Sequence, residues 1–385
     1  MSNRLGNAGI SAAVRAPIIL GEDYLTTVSD LSTYGHTINA MGGYGGADLS
    51  FAVDIVAMQD WYDNGLMRHI SVNDVAGNLF DGFVSEVALS YGARKLTIGP
   101  VTDIANRIAV VYTPIFVSST TEPPVRGAQT VTAAANNTVS QSRYGIFYKL
   151  INAGECTDAE ALLIRDAYLK DMAYPQKNEA MNVGDPGPLR VSIKVLGYAE
   201  LLALTPYSNT STVAITYTAF IALLAAADPN TYFSTSDEYL AANASTIVPF
   251  QDGTKNIFDV IKSVCNLGDS ANTRWTFGCY EGRKLYYQPL PETEKYTYRL
   301  SEGIKSLSLY PGPNTVRPWQ LRPAQWLRYT DFPLTTALAS EGLVADPQVV
   351  FIESVAYKAP YGLTITGGRV STLDQKLARM GVGSR

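Results

Sequence analysis

The sequence is poor in the residue types that most enzymes use for chemistry. It contains only two histidines, His36 and His69, and three cysteines among 385 residues. The cysteines, Cys156, Cys265 and Cys279, lack the C-x-x-C spacing of a zinc or redox site, and an odd number does not suit a disulfide framework. We therefore predict three buried free thiols in a chain that folds in a reducing cytosol.

Long hydrophobic runs and charged residues are also scarce. The longest apolar run, residues 219–227, is too short to span a bilayer, and the first residues, M-S-N-R-L-G-N, lack the apolar core of a signal peptide. Charged residues make up 17% of the chain and the net charge is −5, whereas a general nucleic-acid binder carries a basic surplus. We expect synthesis in the cytoplasm, no membrane span and no sequence-specific nucleic-acid binding.

Motifs that carry chemistry are missing as well. There is no G-x-S-x-G, H-E-x-x-H or Asp-rich calcium loop. The glycines of M-G-G-Y-G-G-A (residues 41–47) lack the Lys-Ser/Thr of a phosphate loop and indicate a flexible turn. The pairs Asp60/Asp63 and Asp237/Glu238 could hydrolyse sugars, but their turn-like settings favour solvated loops. A single histidine at a strand start, such as His69, is more often a hydrogen-bonded structural residue than a base. We predict no catalytic residue, no cofactor and no metal site, so the chain is not expected to be an enzyme.

The most legible unit lies between residues 253 and 291. A helix is predicted from Thr254, a suitable N-cap, to Gly268, a suitable C-terminal residue. Two alternating strands follow, joined by a turn at 281–282 and ending at Pro289. The prediction is a helix packed on a β-hairpin; the apolar face of that helix is formed by Ile257, Val260, Ile261, Val264 and Leu267.

The first part of the chain is divided by its patterns into an arm and a β-domain. Residues 1–16 are small and polar and are predicted to form an N-terminal arm. Residues 17–113 are predicted to form the first β-domain. Its strands are expected within 49–56, 69–72, 78–87 and 88–98, and a helix is expected after Pro100, with residues 101, 104, 105 and 108 on one face.

A linker and a helical insert are predicted to separate the first β-domain from a second one. Residues 114–188 are predicted to combine a Ser/Thr/Pro-rich linker with a helical insert, whose helices cover 143–153 and 157–173. Thr157 and Glu160 match a capping box. Residues 189–360 are predicted to form a second β-domain, because the order strand, glycine, short helix around Gly197 repeats an earlier order.

Two features suggest interaction surfaces. The extension 361–385 contains a short amphipathic helix that could dock on a neighbouring protein or fold back on its own domain. Its candidate interface residues are Leu373, Lys376, Leu377, Arg379 and Met380. In addition, residues 195–254 contain acidic residues but no Lys or Arg. Such a surface would let DNA pass without sticking, although an acidic outer face explains it equally well.

Four segments of the sequence carry a family resemblance. The first is F-D-G-F-V-S-E-V-A-L-S-Y-G-A-R-K-L-T-I-G-P (from residue 80, continuing to 112), and the second is R-Y-G-I-F-Y-K-L-I-N-A-G-E-C-T-D-A-E-A-L-L (from 143, continuing to 169). The third and fourth are I-K-V-L-G-Y-A-E-L-L (193–202) and the helix and hairpin at 257–287. These segments resemble the tail hub, or baseplate hub, proteins of tailed bacteriophages: the first is similar to their first barrel, the second to their helical insert, and the last two to their second barrel. Residues 1–48 and those from 361 onward do not fit the pattern.

The resemblance implies an α+β, mainly β fold, with two tail-tube-like β-barrel domains, packed helices and a helical insert. It implies a structural virion protein located at the tail tip or baseplate. As a homotrimer, such a hub adapts the sixfold tail tube, or a distal tail protein, to a threefold tip or spike protein and lines the DNA exit channel. The only nucleic acid it meets is viral DNA in transit, and the pattern contains no catalytic residue.

Two alternative functions remain open at this stage. One is an adaptor at the end of the tail tube, forming a sixfold ring. The other is a carbohydrate-binding or receptor-binding tail protein, which the aromatic residues of the predicted hairpin would support if they were exposed around a groove. These residues are Trp275, Tyr280, Tyr286 and Tyr287.

Overall fold

The computed structural model describes residues 9–75, 77–116, 125–181, 187–236, 238–249, 251–271, 273–291, 293–299, 302, 306–312, 314–330, 349–359 and 362–368. Strands predominate, so the predicted α+β, mainly β class is confirmed. The helices are α1 (Ile55–Asn64), α2 (Thr138–Tyr144), α3 (Asp158–Met172), α4 (Ala199–Ala203), α5 (Tyr217–Ala226) and α6 (Ile257–Leu267).

The strands carry most of the fold, and their bounds in chain order are as follows: β1 (Ser11–Pro17), β2 (Tyr24–Val28), β3 (Leu31–Asn39), β4 (Gly42–Ala52), β5 (Arg68–Asp74), β6 (Gly77–Gly92), β7 (Arg94–Ile98), β8 (Arg107–Phe116), β9 (Val125–Arg126), β10 (Thr130–Val131), β11 (Ala135–Asn136), β12 (Tyr148–Cys156), β13 (Lys177–Met181), β14 (Gly187–Gly197), β15 (Pro206–Asn209), β16 (Ile215–Thr216), β17 (Thr246–Ile247), β18 (Gln251–Asn256), β19 (Trp275–Tyr280), β20 (Lys284–Pro289), β21 (Glu294–Tyr298), β22 (Ser308–Leu309), β23 (Trp326–Tyr329), β24 (Val349–Lys358) and β25 (Gly362–Gly368).

One large sheet organises the molecule. Its main path runs β2-β1-β5-β6-β14-β4-β3-β24, and β25 pairs with the outer side of β24. β7 and β13 extend the sheet beside β6, the β19–β20 hairpin joins it at β4, and β23, β21 and β22 continue it beyond β24. The pairings among the described residues form no closed ring, so the two predicted barrels are not confirmed.

The sheet crosses the predicted domain boundaries. β14 belongs to the second predicted domain, yet it lies between β4 and β6 of the first, with Val191 opposite Phe51 on one side and Leu89 on the other. The apolar residues that alternate along β14 are almost fully buried in the same core as β4 and β6. One core therefore contains residues from both predicted domains.

The large sheet curls around this core. His36 of β3 and Phe80 of β6 lie on strands that β4 and β14 separate, yet their ring centroids are 6.3 Å apart. Side chains from β1, β3, β4, β5, β6 and β14 fill the space inside the curl. A sheet that is folded over in this way buries its inner face without needing a second layer.

The predicted helix on a hairpin is confirmed. α6 packs on β19, β19 pairs antiparallel with β20, and their apolar side chains form a second core with α5. The N-cap is Asn256 rather than Thr254, because Asn256 directly precedes the helix and its Oδ1 accepts a hydrogen bond from the Asp259 amide at 2.8 Å. Asparagine at this position satisfies an amide that the helix itself leaves free.

Two predicted helices near the first boundary are wrong. The helix expected after Pro100 is a single 3₁₀ turn, Val101–Asp103, and the chain then enters β8. The helix expected over 143–153 ends at Tyr144, and β12 follows and pairs in parallel with β8. Tertiary burial decides the first case, since Ile108, Ala109 and Val110 are all buried and suit a strand covered on both faces.

Three segments predicted to be irregular are ordered elements. The segment around Asp60 and Asp63, for which a turn-like setting is predicted, lies in α1, which Asp54 caps by accepting from the Ala57 amide at 2.7 Å. The glycine-rich segment 41–47 lies largely in β4, and a Cβ on Gly43 would come within 2.7 Å of the Cys279 backbone. Residues 11–16 of the predicted arm lie in β1, which pairs with β2 and β5.

One of the two helices predicted in the insert, 157–173, is present as α3. α3 begins with the predicted capping box, in which the Glu160 carboxylate accepts from the Thr157 amide at 2.8 Å and the Thr157 hydroxyl accepts from the Glu160 amide at 3.3 Å. It packs on the small sheet formed by β8 to β12. Within the described part of the chain, no helix is long and apolar enough to cross a membrane.

The close approach of Gly197, at the end of β14, to Tyr44 of β4 gives a stability test. A Cβ on Gly197 would lie 1.8 Å from the carbonyl oxygen of Tyr44, whereas nothing lies within 4 Å of a Cβ on Gly312. We expect Gly197→Ala to lower the free energy of unfolding by roughly 1–3 kcal/mol. The matched control Gly312→Ala should change it by less than about 0.5 kcal/mol. Urea titration followed by tryptophan fluorescence measures both, and equal effects would contradict this account.

Candidate functional site

A polar cluster at the edge of the core joins four separate segments. His69 of β5 hydrogen-bonds through Nε2 to the carboxylate of Asp81 on β6 and through Nδ1 to Glu22 Oε1 at 2.7 Å. Glu22 lies in the turn between β1 and β2, and its other oxygen is 3.0 Å from Arg283 Nη2. The amide of Gly282 donates to Asp81 Oδ2 at 2.9 Å. We call Glu22, His69, Asp81 and Arg283 the clamp.

Local geometry explains how the clamp residues reach each other. His69 lies opposite Phe83, and Asp81 lies two residues away on the same face of β6. Arg283 comes from the tight β19–β20 turn, where Gly282 and Arg283 have φ values of 65° and 59°. The loop between the paired residues Tyr280 and Lys284 has three residues, and its positive φ values reverse the chain tightly, so the turn aims Arg283 back at the sheet.

The side chains of the clamp are arranged to hold segments of the chain together by hydrogen bonds and ion pairs. Both ring nitrogens of His69 face carboxylates, so both must carry protons to donate, and neither is left to accept a proton. Burial lowers the pKa of His69, but the hydrogen bonds and charges of Asp81 and Glu22 outweigh burial and raise it. This geometry agrees with the interpretation of His69 as a hydrogen-bonded structural residue.

The second histidine is held neutral. His36 is buried, and its Nδ1 lies 2.7 Å from the Tyr34 hydroxyl. Burial, together with the nearby positive charge of Arg322, lowers the pKa of His36 to about 3. The ring therefore remains uncharged at neutral pH and packs among aromatic side chains. His36 and His69 lie in different environments and do not form one site.

The predicted carboxylate pairs do not converge on a common point. Asp60 and Asp63 lie on α1, where Asp60 pairs with Arg68 at 2.7 Å and Asp63 accepts from Gln59 at 2.9 Å. Asp237 lies outside the described residues, and Glu238 is exposed. Among the described residues, no group of three or more His, Cys, Asp or Glu side chains could hold a metal ion.

The cysteines are buried free thiols, as predicted. Cys156, Cys265 and Cys279 are at most 7% exposed, and none is in a disulfide. Burial raises the thiol pKa values of Cys265 and Cys279 far above the ordinary range. A thiol that stays protonated and inaccessible is a poor nucleophile, so these residues contribute packing.

The segment without basic residues does not present an acidic surface in the described chain. Asp228 is 2% exposed and turns inward to accept from the amides of Tyr232 at 2.8 Å and Asn230 at 3.2 Å. Partial burial also raises the pKa of Glu200. Of the acidic residues in the segment whose side chains are described, only Glu238 is exposed.

Two of the four aromatic residues of the hairpin, Trp275 and Tyr287, belong to the core, and Tyr280 and Tyr286 are partly buried. Trp275 and Tyr287 are at most 4% exposed and stack with centroids 4.6 Å apart, and the Tyr287 hydroxyl accepts from Asn243 Nδ2 at 3.0 Å. Tyr280 packs between Tyr44 and Tyr286. The exposed aromatic groove that a sugar-binding protein would need is therefore not formed by these residues.

Two surface grooves were not predicted from the sequence. One, of about 370 Å³, lies between β12 and α4, and Lys149 and Lys255 are among its lining residues. The other, of about 270 Å³, lies between α1 and the β6–β7 hairpin. We call the second one the α1 groove; its apolar lining residues are Ile55, Met58, Tyr62, Leu89, Tyr91 and Leu96. Exposed apolar residues in α1 were the available signal, but α1 itself was predicted as a turn.

The predicted interface residues of the C-terminal extension cannot be placed. Leu373, Lys376, Leu377, Arg379 and Met380 lie outside the described residues. The described chain ends at β25, whose last residue, Gly368, pairs with Phe351.

Comparison with known proteins found limited similarity. No protein-family model and no curated protein matches the sequence. Among solved structures, the chain is similar to the 43 kDa tail protein of prophage MuSo2 from Shewanella oneidensis, at 8% identity over 96% of this chain and 98% of that chain, with a TM-score of 0.44. It is also similar to a tail protein from Neisseria meningitidis MC58, at 8% identity over 91% of each chain, with a TM-score of 0.39. Likenesses at these values carry no conclusion about fold or function.

The clamp gives a prediction about pH. Because the pKa of His69 is raised above its ordinary value of 6.5, its contribution to stability is complete below that pH and is lost as the pH rises through the raised pKa. We expect His69→Gln to lower the free energy of unfolding by about 3 kcal/mol at pH 5.5, and by less at pH 9.

Urea titrations of wild type and variant at both pH values check this prediction. His36→Gln is the matched control, because the pKa of His36 is lowered to about 3 and its effect should not change between the two pH values. A His69→Gln deficit that grows as the pH rises would contradict the proposed charge state.

Proposed function

We propose that the chain is a structural virion protein, the hub at the distal end of a bacteriophage tail. In this role it assembles as a homotrimer, joins the sixfold tail tube or a distal tail protein to the threefold tip or spike, and surrounds the path of viral DNA. Its proposed location is the tail tip or baseplate, and no catalysis or cofactor is part of the proposal.

The observation that carries the proposal is the order of the four segments that resemble tail hub proteins. Each segment contains a unit that the structure also contains: the β6–β7 hairpin, the capped helix α3, β14 followed by α4, and α6 on the β19–β20 hairpin. These units support the resemblance segment by segment. The replacement of two predicted helices by β8 and β12 is a departure within the first two segments.

The chemistry of the described residues is consistent with a structural role. The clamp and the buried thiols have no free reactive group, and the polar side chains at the centre of the molecule fasten segments together. Among the described residues the sheet also keeps open edges, since β2 and β25 each pair there on one side only. Uncharged, exposed edge strands such as β2 are a liability in a free monomer and are usually covered by a partner.

The burial of Trp275 and Tyr287 weakens the sugar-binding alternative. No described feature favours a sixfold adaptor over a threefold hub, and these two functions differ in the number of subunits. A measurement of mass and symmetry therefore separates them directly. Heterologous contacts that close into a ring account for either number of subunits.

We expect the purified full chain, alone or after addition of tail-tube protein, to form a particle of three times the 41.7 kDa chain mass. Light scattering gives the mass, and class averages from negative-stain microscopy should show a threefold ring with a central hole. A sixfold ring would support the adaptor. A monomer that remains indifferent to tube protein would contradict both.

A further inference from the structure

One polar side chain fastens the β1–β2 turn to the core. Glu22 Oε1 lies 2.7 Å from His69 Nδ1, and Glu22 Oε2 lies 3.0 Å from Arg283 Nη2. Within the part of the chain that the structure describes, no other side-chain hydrogen bond or ion pair joins residues 18–28 to a neighbouring element. The position of this turn on the core therefore depends on Glu22.

Apolar burial holds the same segment only at its ends. Ile18 and Val28 are partly buried against the first core, and β2 is paired with β1 on one side. The large apolar side chains between these two ends are 38% to 59% exposed; they are Ile19, Leu20, Tyr24 and Leu25. A strand with so few buried contacts separates at a lower free energy than the core does.

The backbone of the turn is unusual at the residue that is fastened. Glu22 has a φ of 55° and follows Gly21, which has a φ of 97°. Glycine adopts positive φ without steric cost, whereas for glutamate this conformation costs free energy that other contacts must offset. The contacts of the Glu22 carboxylate with His69 and Arg283 supply that compensation.

The number of protons on His69 decides how many of these contacts exist. Nδ1 faces Glu22 and Nε2 faces Asp81, so both contacts need both ring nitrogens to be protonated. When the ring loses one proton, one carboxylate loses its donor. The Asp81 side chain is 3% exposed and that of Glu22 is 24% exposed, and a carboxylate that water reaches is less costly to leave without a donor. The remaining ring proton therefore stays with Asp81.

The other groups around the ring keep their charge near neutral pH. Arg283 remains positive. The Tyr198 ring packs edge-to-face on the imidazole with centroids 5.7 Å apart, and Cys279 lies within reach of the Asp81 charge. Burial raises the pKa of Tyr198 and of Cys279 far above neutral, so both stay protonated. His69 is therefore the group of this cluster that changes its charge there.

We propose that Glu22 and His69 form a pH-operated latch on the β1–β2 turn. The doubly protonated ring holds the turn closed, and loss of one ring proton lets β2 separate from β1 while the rest of the sheet stays folded. Separation opens the edge of β1, which then presents unpaired backbone groups. The inference goes beyond the proposed function, since neither the number of subunits nor the place in the tail enters it.

The direction of the switch follows from the surroundings of His69. Burial lowers the pKa of His69, but the hydrogen bonds and charges of Asp81 and Glu22 raise it above its ordinary value of 6.5. The latch is therefore closed below pH 6.5 and opens as the pH rises through the raised pKa.

Hydrogen exchange of the full chain, measured by mass spectrometry at pH 6 and pH 9 and corrected for the intrinsic pH dependence of exchange, tests the latch. We expect the β2 amides that pair with β1 to be at least about tenfold less protected than the amides of β14, and to stay so in low urea, because they exchange by local opening. Between pH 6 and pH 9 the protection of β2 should fall by about tenfold, since a hydrogen bond between charged groups is lost.

Two variants at neighbouring positions separate the latch from a general effect of charge. Glu22→Gln removes the carboxylate that His69 faces, so we expect low β2 protection already at pH 6 and a change of less than about twofold up to pH 9. Asp23→Asn is the matched control, because Asp23 is an exposed carboxylate in the same turn. It should keep the fall seen in the wild type.

Three results would overturn the latch. The first is equal protection of β2 and β14, because β2 would then separate only when the whole chain unfolds. The second is a wild-type β2 whose protection does not change with pH, and the third is a Glu22→Gln variant that keeps the wild-type fall. Each of these results leaves the proposed hub function standing, because the measurement does not depend on assembly.

Discussion

The rest of the structure depends on the burial of β14 between β4 and β6. Its inward residues Val191, Ile193 and Val195 are at most 2% exposed, and burying each such side chain contributes roughly 1.5–3 kcal/mol. Both neighbouring strands use β14 to satisfy their backbone groups along almost its entire length. Because β14 comes from beyond the insert, the first part of the chain cannot complete its own sheet. The position of the α1 groove depends on the pairing of β14 with β6, because the groove residue Leu89 lies opposite Val191, near the centre of β14.

A second constraint joins the two main cores. The clamp ties the turn after β19 to β5, β6 and the β1–β2 turn, and the start of β19 adds a hydrogen bond from the Thr276 hydroxyl to the carbonyl oxygen of Ala40. Gly43 allows the β19 backbone to lie directly against β4. Removing one member of such a buried ionic cluster leaves the others without compensation, which costs more than the cluster contributes as a whole. The helix-on-hairpin unit and the large sheet therefore behave as one body, which suits a subunit that must contact neighbours on several sides.

The sequence predicted the elements whose determinants lie within one segment. It did not predict the elements whose conformation depends on contacts with distant residues. α3 and α6 have caps and periodic apolar faces, so their residues carry the information within one segment. β8 was mistaken for a helix because residues 101, 104, 105 and 108 fit helical spacing as well as they fit a turn followed by a buried strand. α1 was missed because D-N-G at its end resembles a turn, although Asp54 and the Met58–Trp61 spacing indicate a capped helix.

The clamp could not be predicted from the sequence, since Glu22 and Arg283 are 261 positions apart. The same holds for the hairpin aromatics, whose burial depends on α5 and α6.

The pairing of β3 with β24 has a consequence for biosynthesis. Gly35 lies opposite Lys358, so one edge of β3 stays without its neighbour until β24 has been synthesised and has left the ribosome. Contacts between such distant residues form slowly, because a long loop must close before they contribute stability. Shortened translation products would expose this edge and could aggregate or pair with the wrong strand. Because β24 is made long after β3, only chains that extend past β24 can cover this edge of β3.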